Sequence, residues 1–200
     1  MSNFKKNLSN GILIGLVCAV ALSFAKFDAR CEELRHNILR LHIIANSDSE
    51  ADQALKLAVR DSILENTQTV FDSCTDLQSA VEAAQSEMEQ ICALANKTIS
   101  ENGFNYSASG RVGTAFFENR EYDDFTLPAG EYTSLIITLG EGKGKNWWCV
   151  IFPAVCLPAA DDASLTDTVS KESANVAENP QKYVMKFKFA EWYEKIKHKF

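Results

Sequence analysis

The chain has 200 residues, of which 46% are hydrophobic, and this is enough for one domain of ordinary size but not for two large ones. Its formal net charge is -7 and its pI is near 5.0. The basic residues cluster only at the two ends of the chain, so the domain between them lacks the positive surface that binds phosphate backbones. The composition therefore excludes a nucleic-acid partner.

An apolar run follows two lysines near the N-terminus. Lys5 and Lys6 precede residues 11–25, GILIGLVCAVALSFA, whose end supplies small residues at the two positions that a signal peptidase reads. This pattern predicts export. Because the run is shorter than the ~20 apolar residues of a typical spanning helix, we favour a cleaved signal peptide, residues 1–25, over an uncleaved membrane anchor.

A strand, a polar turn and a helix follow a charged lead-in segment at residues 26–38. Residues 39–44 read LRLHII, an alternation that predicts a mostly buried β-strand with His42 facing the edge of the sheet. The sequence NSDS then breaks the strand. Two capping patterns are present, Ser47 with Glu50 and Ser49 with Asp52, and either one starts a helix that we expect to end near residue 66.

A second helix and several strands are predicted next. Apolar residues step by three and four over 77–99, which indicates one helix that packs on the chain's own sheet and stops at Gly103. Aromatic and β-branched segments then predict strands at 104–109, 112–118, 132–139 and 147–152. The sequence GEGKGK lacks the first Gly and the Ser or Thr of a phosphate-binding loop, so we interpret it as an exposed basic connection.

The last part of the chain changes character. Residues 159–181 are rich in Ala, Asp, Ser and Asn, and we interpret them as a flexible linker. Residues 182–200 predict a basic strand and a short amphipathic helix. We favour docking of this helix on the core of the chain over its binding to a membrane surface. The predicted fold is therefore α+β: a mixed β-sheet with two main helices packed on one face within a single domain at 39–158, followed by a short C-terminal strand and helix.

Cleavage after Ala25 would leave five of the six cysteines, an odd number that cannot all pair within one chain. Cys74 and Cys92 flank or occupy one predicted helix and, at ~1.5 Å per residue, lie roughly 27 Å apart, too far for a bond. Cys149 and Cys156 lie on either side of Pro153, where a chain reversal could bring them together. We rank that disulfide first.

The strand-to-helix turn contains hydroxyl, imidazole and carboxylate side chains. Ser47, His42 and Asp48 have the residue types of a hydrolase, but no GxSxG motif surrounds either serine of the turn, and capping and turn formation explain these side chains. We expect no catalytic residues, no metal and no cofactor. Two alternatives stay open: an exported hydrolase or cell-wall-active enzyme that uses Ser47 and His42, and a structural envelope protein held by an uncleaved anchor.

Two long blocks, together with the export segment, carry a resemblance to a known family. The first is LRLHIIANSDSEADQALKLAVRD at 39–61, and the second is LPAGEY followed by GEGKGKNWWCVIFPAVC, which ends at Cys156. With these blocks the chain resembles the stage II sporulation protein R family of endospore-forming bacteria. It departs from the expected pattern at Ala154, where the family is expected to carry a second proline, and it matches poorly beyond Pro158.

The resemblance implies a signalling role without chemistry. Proteins of this kind are exported across the forespore membrane into the space between the forespore and mother-cell membranes, secreted or held by the N-terminal segment. There they activate a membrane-embedded aspartic protease, which removes the pro-sequence of sigma factor E. No small-molecule ligand is implied. The expected partners are therefore this protease and, where residues 1–25 are retained, the membrane.

Two polar segments are our candidates for contact with the protease, because exposed His, Asn and Trp side chains there would not be needed to fill the core. One is the turn at 42–48 and the other is the loop at 143–148. The candidate residues are His42, Asn46, Ser47, Asp48, Lys143, Lys145, Asn146, Trp147 and Trp148.

Overall fold

The computed structural model describes residues 2–122, 124–153 and 165–199. The helices are α1 (Ser2–Asn37), α2 (Glu50–Asp72), α3 (Leu77–Ser86), α4 (Met88–Glu101), α5 (Lys171–Glu178) and α6 (Val184–Lys199). The strands are β1 (Leu39–Ile44), β2 (Ala108–Phe117), β3 (Arg120–Glu121), β4 (Thr126–Leu127), β5 (Gly130–Leu139) and β6 (Asn146–Phe152). Short 3-10 turns lie at Leu165–Asp167 and Pro180–Lys182.

The main sheet has four strands in the order β2-β5-β1-β6. β1 lies between β5, with which it pairs in parallel, and β6, with which it pairs antiparallel, so the sheet is mixed. β3 and β4 form a separate two-stranded ribbon. The α+β class and the mixed sheet are confirmed. Because β1 is an inner strand with both faces covered, its side chains are buried on both sides.

Helices α2, α3 and α4 cover the first face of the sheet, where Leu41 and Ile43 point. Two helices on one face are confirmed, with the second divided at Glu87, whose φ of -88° and ψ of 4° leave the helical region. The division keeps one buried stripe, made of Ala80, Ala84, Ile91, Ala95 and Ile99.

The boundaries of α2 follow from two of its side chains. The Ser49 hydroxyl accepts a hydrogen bond from the Asp52 backbone N–H at 3.1 Å, so the second of the two capping patterns starts the helix. The helix continues past the expected end at 66, because Phe71 in its last turn is buried in the core. Between residue 66 and Phe71, Thr69 is exposed, whereas Thr67 is buried and its hydroxyl donates to the Ile63 carbonyl at 2.7 Å.

The C-terminal half of α1 and helix α5 cover the second face, where Arg40 and Tyr132 point. Cys31 and Leu34 of α1, and Ile38 directly after the helix, are fully buried. Residues 26–37 are helical, as their composition indicates. They do not lead into the domain from outside, however, because they form part of its core.

A single strand, β2, replaces the two strands expected at 104–109 and 112–118. Gly110, which stands between the two expected strands, lies within β2. A Cβ atom there would collide with the sulfur atoms of Met88 and Cys92. Glycine at this position therefore permits the close approach of the first-face helices to the sheet.

The predicted C-terminal strand is wrong, because residues 184–199 form α6. Tyr183 and Phe187 pack on Phe27 of α1, with ring centres 5.7 Å and 5.2 Å away. Met185 and Phe189 are exposed on the other side of the helix. Apolar residues on two opposite sides of a helix produced the alternation that indicated a strand.

The flexible linker expected at 159–181 is also wrong where the chain is described, because α5 occupies Lys171–Glu178. The Ser170 hydroxyl caps this helix, and Glu33 of α1 accepts hydrogen bonds from Ser170 and Ser173. Small buried residues form its inner side, which composition alone did not reveal. Residues 159–164 of the expected linker lie outside the described residues.

Within the described ranges, α1 is the one helix long and apolar enough to cross a membrane, in the segment Lys6–Asn37. Its apolar residues between Leu8 and Leu22 are exposed, whereas the helix is buried from Phe27 onward on its inner side. Such a helix is compatible with a signal peptide or a membrane anchor.

The cysteines of the described residues are not joined to one another. Cys31, Cys74 and Cys92 are free thiols. Cys156 lies outside the described residues, so the disulfide between Cys149 and Cys156 stays a prediction.

Candidate functional site

The structure brings the two candidate segments together at one end of the sheet. Because β1 pairs with β6, Ile44 lies opposite Asn146, and the chain on either side of this pair forms two adjacent turns. The backbone N–H of Lys143 donates to the Asn46 carbonyl at 3.1 Å, and that of Lys145 donates to the Asp48 carboxylate at 2.7 Å. We call this surface the polar rim, made of Asn46, Ser47, Asp48, Lys143, Lys145 and Asn146.

A buried carboxylate, Asp52, holds the rim from below. It accepts hydrogen bonds from the Ser47 hydroxyl at 2.5 Å, the Asn46 amide at 2.9 Å and the Tyr106 hydroxyl at 2.6 Å. Burial alone would raise the pKa of Asp52, but these hydrogen bonds lower it below its usual range, so the group is ionised at neutral pH. Asp52 therefore fixes the first turn from inside the domain.

Lys56, which is also buried, ties both turns to helix α2. Its ammonium group donates to the Lys145 carbonyl at 3.1 Å and to the Gln53 side chain at 2.7 Å. Gln53 in turn donates to the Ser47 carbonyl at 2.8 Å. Burial lowers the pKa of Lys56. The two turns thus share one support on the first turns of α2.

Gly144 lets the two turns approach each other. Its N–H donates to the Ala45 carbonyl at 2.9 Å. A Cβ atom at this position would collide with the backbone carbonyl of Ser47. Only glycine therefore allows the two turns of the rim to lie at this separation.

The rim exposes both donors and acceptors. Asp48, Lys143, Lys145 and Asn146 are exposed, and the Lys143 ammonium pairs with Glu141 at 2.7 Å. The side chains of Asn46 and Ser47 are half-buried and point their polar atoms at Asp52. The four exposed side chains can contact a partner directly. Asn46 and Ser47 instead stabilise the conformation of the first turn.

His42, Trp147 and Trp148 do not belong to the exposed rim. His42 is 8% exposed, and its ring stacks on Trp148 with centres 3.8 Å apart on the second face. It does not face the sheet edge, because β1 is an inner strand. Trp147 lies on the first face, where the Arg60 guanidinium is 4.4 Å from its ring centre. Both tryptophans are half-buried, so neither is a free side chain.

The buried position of His42 also affects its charge. Burial has the largest effect and lowers the pKa of His42. The Asn146 side chain opposes it, and the nearby Arg111 and Arg40 lower the pKa further. The imidazole is therefore neutral at pH 7. Its role is packing under the rim.

The residues of the hydrolase alternative do not form a catalytic pair. The Ser47 hydroxyl donates to Asp52, and no hydrogen bond links Ser47 to His42 in the described part of the chain. Across residues 2–122, 124–153 and 165–199 there is also no group of three or more His, Cys, Asp or Glu side chains that could hold a metal ion.

Sequence reasoning missed the supports of the rim. Asp52 appeared only as a partner in helix capping, and Tyr106 and Lys56 had no assigned role. A carboxylate in the first turn of a helix after a run of Asn, Ser and Asp was the available signal. The contact from Tyr106 has a sequence separation of 54 residues, which local patterns do not reveal.

Comparisons with known proteins agree with the two sequence blocks. The family model described as stage II sporulation protein R matches residues 35–162, which include both turns of the rim. The stage II sporulation protein R of Bacillus subtilis (strain 168) is 34% identical over 168 residues, which cover 84% of this chain and 74% of that protein. No solved structure matches. The chain belongs to the stage II sporulation protein R family and is thus a protein of sporulation.

Proposed function

We propose that this chain is an exported signal that activates a membrane-embedded aspartic protease, which then removes the pro-sequence of sigma factor E. On this proposal the chain crosses the forespore membrane and acts in the intermembrane space as a ligand without chemistry of its own. The observation that carries the proposal is the polar rim, a rigid and exposed surface in a member of a sporulation family.

A ligand activates a receptor only by binding the active state more tightly than the inactive one. The rim suits this task because its two turns are already ordered by Asp52 and Lys56, so binding costs little conformational entropy. Asp48 presents acceptors, Lys145 presents a positive charge, and Asn146 presents both a donor and an acceptor.

The first test is charge reversal at the rim. We expect Lys145→Glu to reduce processing of pro-sigma-E in sporulating cells about tenfold, the equivalent of about 1.4 kcal/mol of lost preference for the active state. The matched control is Lys97→Glu, which reverses an exposed lysine on α4. Exported protein levels are held equal. Normal processing in a Lys143→Glu, Lys145→Glu double variant would remove the rim from the contact surface.

A second test changes the shape of the rim without changing its exposed side chains. We expect Gly144→Ala to reduce processing, because the added methyl group pushes the loop away from Ser47. Near-UV circular dichroism checks that the rest of the domain keeps its packing. Full processing by a folded Gly144→Ala protein would contradict the requirement for an assembled rim.

A third test separates contact from indirect effects. A photoreactive amino acid replaces Lys145 in one variant and Lys97 in another, and each full chain is mixed with the membrane protease. Crosslinks from position 145 and none from position 97 are expected. Equal crosslinking from both positions would show that the protease does not read the rim.

A further inference from the structure

Helix α6 has an apolar surface that points away from the domain. Phe187, Ala190 and Glu194 form its inner side and are buried. On the opposite side Met185 is 77% exposed and Trp192 is 59% exposed. We call this surface the outer stripe, made of Met185, Phe189, Trp192 and Ile196, which follow one another at helical spacings of four, three and four residues.

Lysines lie along both edges of the outer stripe. At 100° per residue, Lys188 and Lys199 fall on one side of the stripe and Lys186 and Lys197 on the other. The two acidic residues of the helix, Glu191 and Glu194, lie toward the domain, where they pair with Lys195 and Arg35. The exposed side of α6 is therefore apolar along its middle and positively charged along both edges.

The outer stripe is continuous with the exposed apolar part of α1. Phe24 and Phe189 pack with ring centres 5.0 Å apart, and Phe189 lies 5.7 Å from Trp192. The Lys186 ammonium donates to the Ser23 hydroxyl at 2.7 Å. Directly before Ser23, the residues of the apolar run are exposed. One apolar surface thus extends from the end of the run onto α6.

We propose that α6 is a second membrane-contacting element, with its outer stripe among the lipid acyl chains at the bilayer surface and its lysines on anionic headgroups. In a chain that keeps residues 1–25, the apolar run of α1 is long and apolar enough to enter a bilayer, and the contact between Phe24 and Phe189 places α6 beside it. Aromatic and aliphatic side chains edged by lysine are typical of helices that lie in the membrane interface. This inference does not depend on activation of a protease.

A second copy of the chain fits the outer stripe less well. Stable interfaces between proteins bury about 1,000 Å² or more, and four side chains on one short helix supply only part of that area. Lysines on both edges would also face lysines in a symmetric pair, which is unfavourable. The same lysines are attracted to anionic lipid headgroups.

The test uses tryptophan fluorescence of the full chain in vesicles that contain phosphatidylglycerol and dibrominated lipids. The chain has three tryptophans, and only Trp192 lies on α6. We expect shallow bromine positions to quench the wild-type protein. Trp192→Phe removes most of this quenching, whereas the matched control Trp147→Phe keeps it. Equal quenching of the wild-type and Trp192→Phe proteins would overturn the proposal.

A second variant tests the stripe through another residue. Met185→Asp places a charge on the outer stripe without touching the core, and it is expected to reduce the quenching of Trp192 at least twofold. The control Asn175→Asp adds the same charge to an exposed position on α5 and leaves the quenching unchanged. Crosslinking of two chains through α6 in vesicles, without lipid quenching, would place a second copy on the stripe and refute the lipid contact.

Discussion

The two faces of the sheet are covered in different ways. One continuous segment, residues 50–101, supplies the three helices of the first face, and they meet aliphatic side chains such as Leu41 and Ile43. Helices from opposite ends of the chain, α1 and α5, cover the second face, where Arg40 and His42 are buried as well. The first face is assembled by local chain segments, and the second needs both ends of the protein.

The second face buries a charged side chain, which requires specific partners around it. The Arg40 guanidinium lies 3.6 Å from the centre of the Phe117 ring and donates to the Tyr122 hydroxyl at 2.5 Å. A buried charge is stable only with such partners in place. Apolar packing on the first face tolerates small adjustments, whereas the second face requires α1 and the ribbon of β3 and β4 in one arrangement. Residues 26–38 are therefore needed to close the domain.

The largest effect is expected where α1 meets the second face. Leu34→Asp buries an unpaired carboxylate and should cost about 4 kcal/mol or more in the free energy of unfolding. The control Ala29→Asp places the same group on the exposed side of the same helix. Urea unfolding of residues 26–200 measures both variants. Equal stability of the two variants would mean that α1 is not part of the folded core.

A smaller loss is expected on the first face. Leu41→Ala leaves a cavity against α2 and should cost about 3 kcal/mol while keeping a single cooperative transition. Ser109→Ala, on an exposed position of β2, should change the free energy of unfolding by less than about 0.5 kcal/mol. A separate early transition in the Leu41→Ala protein would show that the two faces unfold independently.

The hydrogen bonds to Asp52 under the polar rim should contribute less to the free energy of unfolding than the core residues of either face. Asp52→Asn replaces the carboxylate that accepts three side-chain hydrogen bonds and should cost about 2 kcal/mol. Tyr106→Phe removes only one of these bonds and should cost about 1 kcal/mol. Denaturant unfolding gives both values. If both variants lose the same free energy of unfolding, the hydrogen bonds from Asn46 and Ser47 to Asp52 do not contribute to stability.

The smallest effect concerns pH. Burial lowers the pKa of His42 in the folded protein from the ordinary 6.5, so the unfolded chain binds the extra proton first. Stability is full above pH 6.5 and falls as the pH drops toward the folded value. His42→Phe keeps a ring against Trp148 and should lose part of this decline between pH 7 and pH 5. His36→Phe, at an exposed histidine, should keep it.

Local patterns predicted the parts of the fold that depend on neighbouring residues. The strand at 39–44, the cap at Ser49 and the stop at Gly103 follow from alternation, hydroxyl spacing and a φ of 81° that glycine adopts easily. The C-terminal strand failed because α6 is apolar on two sides, one facing α1 and one facing outward. The helical spacing of the inner residues of α6 becomes apparent only from their contact with α1.

The candidate site was predictable as two segments but not as one surface. The turn after β1 and the loop before β6 meet through strand pairing between residues about 100 positions apart, which local sequence does not specify. Exposure was harder to predict than proximity. His42 and Trp148 stack under the rim because they occupy paired positions on an inner and an outer strand, a register that became visible only in the folded sheet.

The unbroken course of α1 has a mechanical consequence. The helix continues without interruption from its apolar run into the core, and from Ala25 to Asn37 it rises about 18 Å, at 1.5 Å per residue. In a chain that keeps this helix, the distance between the apolar run and the sheet is fixed. The rotation of the domain about the helix axis is fixed as well. One residue inserted before Ser23 would rotate the domain by about 100° relative to the apolar run, and a neighbour in the bilayer would then meet a different side of it.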